Sequence, residues 1–201
     1  MFNELSGFGD SAQATLQTKA DIPEGATIAG EYHVVCHDKD GNLKWEEKFP
    51  NLVVAVGKQL MFDTLLSTSS TYTTVGPFLG LISGTGNTYA ANNTMSSKTW
   101  TEFANYTVGG SAVRGTAVFG AASSAGSTPT NITTCTASAI TYTITGAGGT
   151  VGGCFLVTGT GAVSTISNTS GVLYSAGDFA TAKVTTAGDT VSVTYSTTAT
   201  S

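Results

Sequence analysis

Short runs of Thr, Val, Ile and aromatic residues, separated by glycine-containing turns, recur from Gly30 to the end of the chain. Thr and Val are β-branched and fit a pleated surface, while Gly supplies the backbone conformations of tight turns. Short strands at such regular spacing are typical of sandwiches and barrels. The pattern therefore predicts a mainly β fold, either a jelly-roll-like sandwich or a barrel. After the first hairpin, the predicted strands lie in residues 77–83, 111–121, 132–145, 151–159, 172–176, 179–186 and 190–198.

The last three of these runs are joined by two Ala-Gly-Asp triplets, at 176–178 and 187–189. Gly followed by Asp is a common turn sequence. The repeated triplet predicts that these runs form a meander of neighbouring strands.

Residues 30–37 and 43–49 flank the sequence DKDGN and predict a β-hairpin. Asp40-Gly41 supplies the left-handed turn. The apolar side chains of the first strand alternate with the others: Tyr32, Val34 and Cys36. We expect three apolar anchors on the second strand: Leu43, Trp45 and Phe49.

A single substantial helix is predicted near residues 52–66, where apolar residues recur at intervals of three and four. Asn51 is placed to cap its start. A short helical turn is predicted between Asn92 and Asn105, with Trp100 and Phe103 facing the core.

Residues 1–29 are predicted to form an extended N-terminal arm, and residues 30–201 a single β-rich body. The arm contains Gly7, Gly9, Pro23 and Gly25 among scattered apolar side chains that it cannot bury locally. Such a segment is either disordered in isolation or ordered by docking against a neighbour. The candidate contact residues of the arm are Phe2, Leu5, Phe8, Leu16 and Ile22.

Charged residues make up 10% of the sequence, and the formal net charge is −5. Most charges precede Asp63, so the second half is nearly neutral. The absence of a basic run argues against nucleic-acid binding, which requires Lys and Arg to displace counterions. No run approaches the about 20 apolar residues of a membrane helix, and the first residues do not resemble a signal peptide. Synthesis in a cytoplasm and no membrane association are therefore expected.

The three cysteines are odd in number and widely separated, which favours reduced, buried thiols over a disulfide framework. Pairing of Cys135 with Cys154 remains the alternative.

The densest group of candidate metal ligands surrounds the predicted hairpin turn and consists of His33, Cys36, His37, Asp38 and Asp40. On a strand, His33 and His37 share a face while Cys36 points to the other, so the spacing favours a polar turn over a zinc site. The glycine of DKDGN is at position four, whereas an EF-hand loop needs it at position six. A looser calcium site that includes Glu46 or Glu47 stays open.

The sequence contains no motif that places catalytic side chains together. Glu46 and Glu47 are adjacent on a strand and point to opposite faces, so they cannot act as an acid/base pair. No serine lies in a G-x-S-x-G elbow, and GTGNT at Gly84 and GTGAV at Gly159 favour turns over phosphate loops. We therefore predict no enzymatic activity, no catalytic residue, no metal and no cofactor.

Residues 30–66 resemble the opening of a group of tailed-bacteriophage structural proteins. The resemblance rests on a G-x-Y strand, a D-x-DGN-x-KW turn and an NLV-x-x-x-G-x-x-x-x-x-D helix in that order, here Gly30, Tyr32, Asp38, Asp40, Gly41, Asn42, Lys44, Trp45, Asn51, Leu52, Val53, Gly57 and Asp63. The later FLGLISGTG, KTWTEFANY and SAGDFATAKVTTAGDTVSVTYS extend it over most of the body.

Proteins of this group are commonly capsid cement or decoration proteins. The resemblance implies a non-enzymatic virion protein on the capsid surface that binds the major capsid protein and is homo-oligomeric. The alternative is a phage tail or host-binding component, because neutral hydroxyls also suit glycans.

Overall fold

The computed structural model describes residues 27–67, 75–124 and 132–200. Twelve strands and one helix occupy these ranges. Their bounds are β1 Thr27–His37, β2 Leu43–Pro50, β3 Leu52–Val53, α1 Ala55–Leu66, β4 Phe78–Ser83, β5 Tyr106–Thr107, β6 Gly115–Thr116, β7 Ser123–Ser124, β8 Ile132–Thr136, β9 Ile140–Ile144, β10 Gly149–Thr158, β11 Val172–Thr185 and β12 Thr190–Thr200.

Two antiparallel sheets contain all of these strands. In sheet A, β12 pairs with β1 along one side and with β8 and β9 along the other, while β2, β5 and β7 extend the sheet outward. Sheet B has the order β3-β11-β10-β4-β6. The sheets pack face to face and are not closed, so the predicted mainly β fold with one substantial helix is confirmed as a sandwich, not a barrel.

The predicted first hairpin is confirmed. β1 pairs with β2 antiparallel, and Gly41 has a φ of 85° in the turn between them. Tyr32, Val34 and Cys36 are fully buried, as their alternation predicts. Leu43 is wrong as an anchor, since its side chain is 57% exposed. A register shift between Cys36 and His37 interrupts the alternation at the end of the hairpin where Leu43 lies.

The helix begins later than the sequence predicts. Leu52–Val53 form β3 and pair with β11, so α1 starts at Ala55 and its N-cap is Val54, which makes no side-chain cap. Asn51 therefore does not cap the helix, and its amide instead donates to the Tyr195 hydroxyl at 3.0 Å. Trp100 and Phe103 are buried as predicted, and a single helical turn is present at 94–98, where the Lys98 amide donates to the Thr94 carbonyl at 3.0 Å.

Two strand predictions were wrong. Within residues 111–121 only Gly115–Thr116 form a strand. The first Ala-Gly-Asp triplet is no turn, because β11 continues through it from Val172 to Thr185. The second triplet is a turn, but it carries the chain from sheet B to sheet A, so the strands on either side of it do not form a meander.

A hydrophobic core fills the space between the sheets, and a second cluster covers the outer side of sheet B. β10 contributes to both, with Cys154 and Leu156 facing sheet A and Phe155 and Val157 facing the second cluster. A strand buried on both faces reads as a continuous apolar run, which explains the sequence CFLV.

Tyrosine hydroxyls connect the two sheets across the core. The Tyr142 hydroxyl of sheet A donates to the Leu79 carbonyl of sheet B at 2.7 Å. The Tyr32 hydroxyl lies 2.9 Å from Ser175 Oγ. Each bond satisfies a polar group that would be costly to bury alone, by about 1–3 kcal/mol. These hydroxyls therefore fix how the sheets sit on each other.

A buried ion pair holds together the coil that covers sheet B. Arg114 Nε and Nη2 donate to the two carboxylate oxygens of Glu102 at 2.9 and 2.7 Å, and both side chains are at most 1% exposed. Arg114 also donates to the carbonyls of Val163 and Asn168, and the Ser167 amide donates to Glu102. One ion pair thus joins the segments around Glu102 and Arg114 to residues 163–168.

We predict that Arg114→Met destabilises the protein by about 3–5 kcal/mol, because it leaves the Glu102 carboxylate buried without a partner. Lys39→Met is the control, since the Lys39–Asp40 pair is exposed and should contribute less than about 1 kcal/mol. Urea unfolding measures both. Equal stability of the two variants would contradict the structural role of the buried pair.

A second ion pair makes the stability of the fold depend on pH in the acidic range. Asp189 is 2% exposed, and its carboxylate accepts from Lys44 Nζ at 2.6 Å and from the Thr186 amide at 2.8 Å. Burial alone would raise the pKa of Asp189, but these donors outweigh burial and lower it. The resulting stabilisation is complete above the unfolded-state pKa of about 3.9 and is lost as pH falls through the lower folded-state pKa.

We predict that Asp189→Asn lowers the free energy of unfolding at neutral pH by about 1–3 kcal/mol. The deficit should shrink as the pH falls from about 5 to about 2, where Asp189 of the unmodified protein also becomes neutral. Urea unfolding at several pH values measures it. Asp40→Asn, at an exposed position, is the control and should change stability by less than about 0.5 kcal/mol. A deficit that does not depend on pH would contradict this role of the Asp189 charge.

Candidate functional site

The outer face of sheet A is a broad surface of hydroxyl-bearing side chains, which we call the hydroxyl face. It consists of Thr136, Thr141, Thr143, Thr190, Ser192, Thr194 and Ser196. Directly opposed pairs hydrogen-bond across the strands, with Thr136 Oγ1 2.9 Å from Ser196 Oγ and Thr141 Oγ1 3.1 Å from Ser192 Oγ. Such cross-strand pairs hold side chains in fixed rows. The face is therefore flat, polar and neutral.

The charges of sheet A lie to one side of the hydroxyl face, on β1 and β2. His33 is opposite Thr194 in the sheet, and its Nε2 lies 2.7 Å from Glu46 Oε1. Lys48 is opposite His33 on the other side. The surface thus passes from neutral hydroxyls at β12 to mixed charges at the β2 edge.

An apolar groove of about 310 Å³ opens beside α1. Leu60, Met61 and Leu65 of the helix form one wall, and Leu156 and Tyr174 of sheet B form the base. Phe119 and Thr197 close the side toward sheet A. Gly57 allows the helix to lie this close to sheet B, because a Cβ there would be 2.5 Å from the Tyr174 carbonyl oxygen.

A second cavity, of about 250 Å³, lies near Gly84, Thr85, Asp178 and Thr181. Asp178 accepts hydrogen bonds from the Tyr89 hydroxyl and from the Asn87 amide. Burial and the Asp178 charge raise the pKa of Tyr89, so its hydroxyl remains a donor. Gly84 and Gly86 have positive φ, and the GTGNT sequence is a turn, as predicted.

The candidate metal ligands of the hairpin do not converge. Cys36 points into the core, while His33 pairs with Glu46 on the outer face. Asp38 instead organises the turn by accepting from the amides of Asp40 and Asn42 at 2.9 and 2.8 Å. In the ranges that the structure describes, no group of three or more His, Cys, Asp or Glu side chains could hold a metal ion.

Glu46 and Glu47 point to opposite faces of β2, as the sequence predicts. Glu47 accepts from the Ala180 amide and from Lys183, both at 2.7 Å. Burial alone would raise the pKa of Glu47, but these two donors lower it. Glu47 therefore links the edge of sheet A to sheet B and, with Glu46 engaged by His33, forms no acid/base pair.

The three cysteines are free thiols in very different surroundings, and Cys135 does not pair with Cys154. Cys36 and Cys154 are completely buried. Burial and the nearby Asp189 carboxylate raise the pKa of Cys36 to about 11, and burial also raises the pKa of Cys154. Cys135 is partly exposed.

We predict that only Cys135 reacts quickly with a thiol reagent in the folded protein, because a buried thiol of raised pKa rarely forms thiolate. Intact-mass measurement should show one modified thiol without denaturant and three with it. Cys135→Ser is the control and should leave the folded protein unmodified. Rapid labelling of that variant would contradict the burial of the other two thiols.

The five predicted arm contacts, Phe2, Leu5, Phe8, Leu16 and Ile22, lie outside the described residues. No helix in the described part of the chain is long and apolar enough to cross a membrane.

Neither the hydroxyl face nor the groove was predicted from sequence. Each combines residues from strands far apart in the chain, and the period-two alternation of β12 was the only local signal for the hydroxyl face. Comparisons with protein-family models, with curated proteins and with solved structures found no match.

Proposed function

We propose that this protein is a structural component of a tailed-bacteriophage virion that binds the capsid shell from outside and stabilises it, as cement and decoration proteins do. The observation that carries the proposal is the hydroxyl face, and the resemblance of residues 30–66 to phage structural proteins supports it. The protein acts by covering and joining protein surfaces, and it makes or breaks no bond.

The hydroxyl face suits attachment to a protein surface for two reasons. Its rows are held in place by cross-strand hydrogen bonds, such as that between Thr141 and Ser192, so little side-chain entropy is lost on binding. Its hydroxyl groups donate and accept, and they bring no charge that must be stripped of water. A flat, neutral and ordered surface can therefore bind over a wide area.

Stabilisation of the shell follows from mass action. A protein that binds the assembled shell more tightly than separate capsid subunits shifts the equilibrium toward the shell. Many weak contacts repeated over a symmetric shell add through multivalency. We propose that the partner is the major capsid protein, and that the protein binds it as a homo-oligomer through the hydroxyl face and the N-terminal arm.

Copy number and location test this function. Quantitative mass spectrometry of purified particles should find many copies, and immunogold labelling should mark the head. Absence from finished particles, or turnover of a substrate by the isolated protein, would refute the proposal.

A tail or host-binding component is the second candidate, and the cavity near Asp178 is the observation that favours it. Its carboxylate and threonine hydroxyls are groups that bind sugar hydroxyls. A label at the tail tip and about twelve or fewer copies would support this candidate instead of the first.

For the shell-binding proposal, we predict that Thr194→Arg weakens attachment at least about tenfold, because it adds a cation and a long side chain to the hydroxyl face. Gln59→Arg adds the same charge on the exposed side of α1 and is the control. Both variants should keep the thermal midpoint of the unmodified protein. Cosedimentation with shells stripped of the protein measures attachment, and equal binding of the two variants would exclude the hydroxyl face.

A further inference from the structure

The apolar groove continues into an exposed apolar patch at the end of α1. Leu65 and Leu66 are each 76% exposed, and Phe62 is 55% exposed. Leu65 lines the groove, whereas Leu66 does not. Apolar area left in water is unfavourable, so this region favours an apolar occupant.

The first described strand, β1, passes beside the same groove. Thr197, in the groove wall, pairs with Gly30 and donates through its hydroxyl to the Ala29 carbonyl at 3.2 Å. Ile28 lies on the inner side of β1 and packs against the core. Residues 1–26 join the body at Thr27, which pairs with Thr200, three residues beyond Thr197 on β12.

We propose that residues 16–22 of the same chain occupy the groove, with Ile22 inside it and Leu16 along its rim beside Leu65. Ile22 precedes Ala29 by seven residues, and an extended chain of that length spans at most about 25 Å. The segment can thus turn back from the start of β1 into the groove. This inference does not depend on the proposed function.

The sequence of this segment fits an apolar groove that is open to water. In an extended chain Leu16, Ala20 and Ile22 share one face, while Lys19 and Asp21 share the other. The first face meets the apolar walls, and the charged face remains in solvent. At about 310 Å³ the groove is at the small end of ligand sites, which suits one or two side chains better than a larger ligand.

Docking of residues 16–22 would divide the arm into two parts. Leu16 and Ile22 fasten the near part to the body. Phe2, Leu5 and Phe8 remain in the far part, and they are the arm residues left to contact another molecule.

Limited trypsin digestion of the full chain tests the docking, because Lys19 is the single Lys or Arg among the first 26 residues. The variant Leu65→Glu places a charge in the groove wall and should speed cleavage at Lys19 at least about fivefold, since cleavage tracks the undocked population. Leu66→Glu makes the same change at an equally exposed neighbour outside the groove and should stay within about twofold of the unmodified protein. Intact-mass analysis measures the cleavage rate.

Ile22→Asp changes the other side of the contact and should accelerate cleavage as Leu65→Glu does. Circular dichroism melts of Leu65→Glu and Leu66→Glu should match that of the unmodified protein, because both side chains are 76% exposed. Equal cleavage rates for Leu65→Glu and Leu66→Glu would overturn the proposal, as would an unchanged rate for Ile22→Asp. Protection of Lys19 that disappears on dilution would overturn docking within one chain and assign the groove to the arm of a second copy.

Discussion

The architecture depends on the burial of β10 on both of its faces. Sheet A covers one face, and a long coil that includes Met95 and Trp100 covers the other. The backbone of this coil makes few hydrogen bonds to strands, so other interactions must hold it in place. The Glu102–Arg114 pair provides it by hydrogen-bonding to the segments around Val163 and Ser167. One desolvated ion pair in a weakly charged chain thus secures the cover of the innermost strand.

The spacing of apolar residues along the sequence predicted those elements whose structure depends on residues close in sequence. Alternation in β1 predicted its buried face, and the apolar spacing before Leu65 predicted a helix. The triplet at 176–178 wrongly predicted a turn. Gly177 is needed there because of a close contact, since a Cβ at this position would be 2.9 Å from the Pro50 carbonyl oxygen. Glycine marks both situations, and the sequence does not distinguish them.

The candidate site was less predictable than the fold, for a related reason. The hydroxyl face exists because β12 lies between β1 on one side and β8 and β9 on the other, and no local pattern reveals that order. The Arg114–Glu102 contact was hidden in the same way, since both residues lie in irregular segments where periodicity carries no information. The sequence shows that the second half of the chain has few charges, and only the topology of sheet A shows that its hydroxyl groups share one face.

The uneven charge along the sequence has a consequence for how copies of this protein can meet. β2 pairs only with β1 among the described strands, so it is an open edge, and it carries Lys44, Glu46, Glu47 and Lys48. Charged side chains on an edge strand oppose the addition of another strand. Pairing of a strand from another copy is therefore opposed at β2. Face-to-face contact through the hydroxyl face is not opposed by charge. The few charges of this chain thus oppose edge-to-edge pairing at β2 and leave the neutral face available for contact.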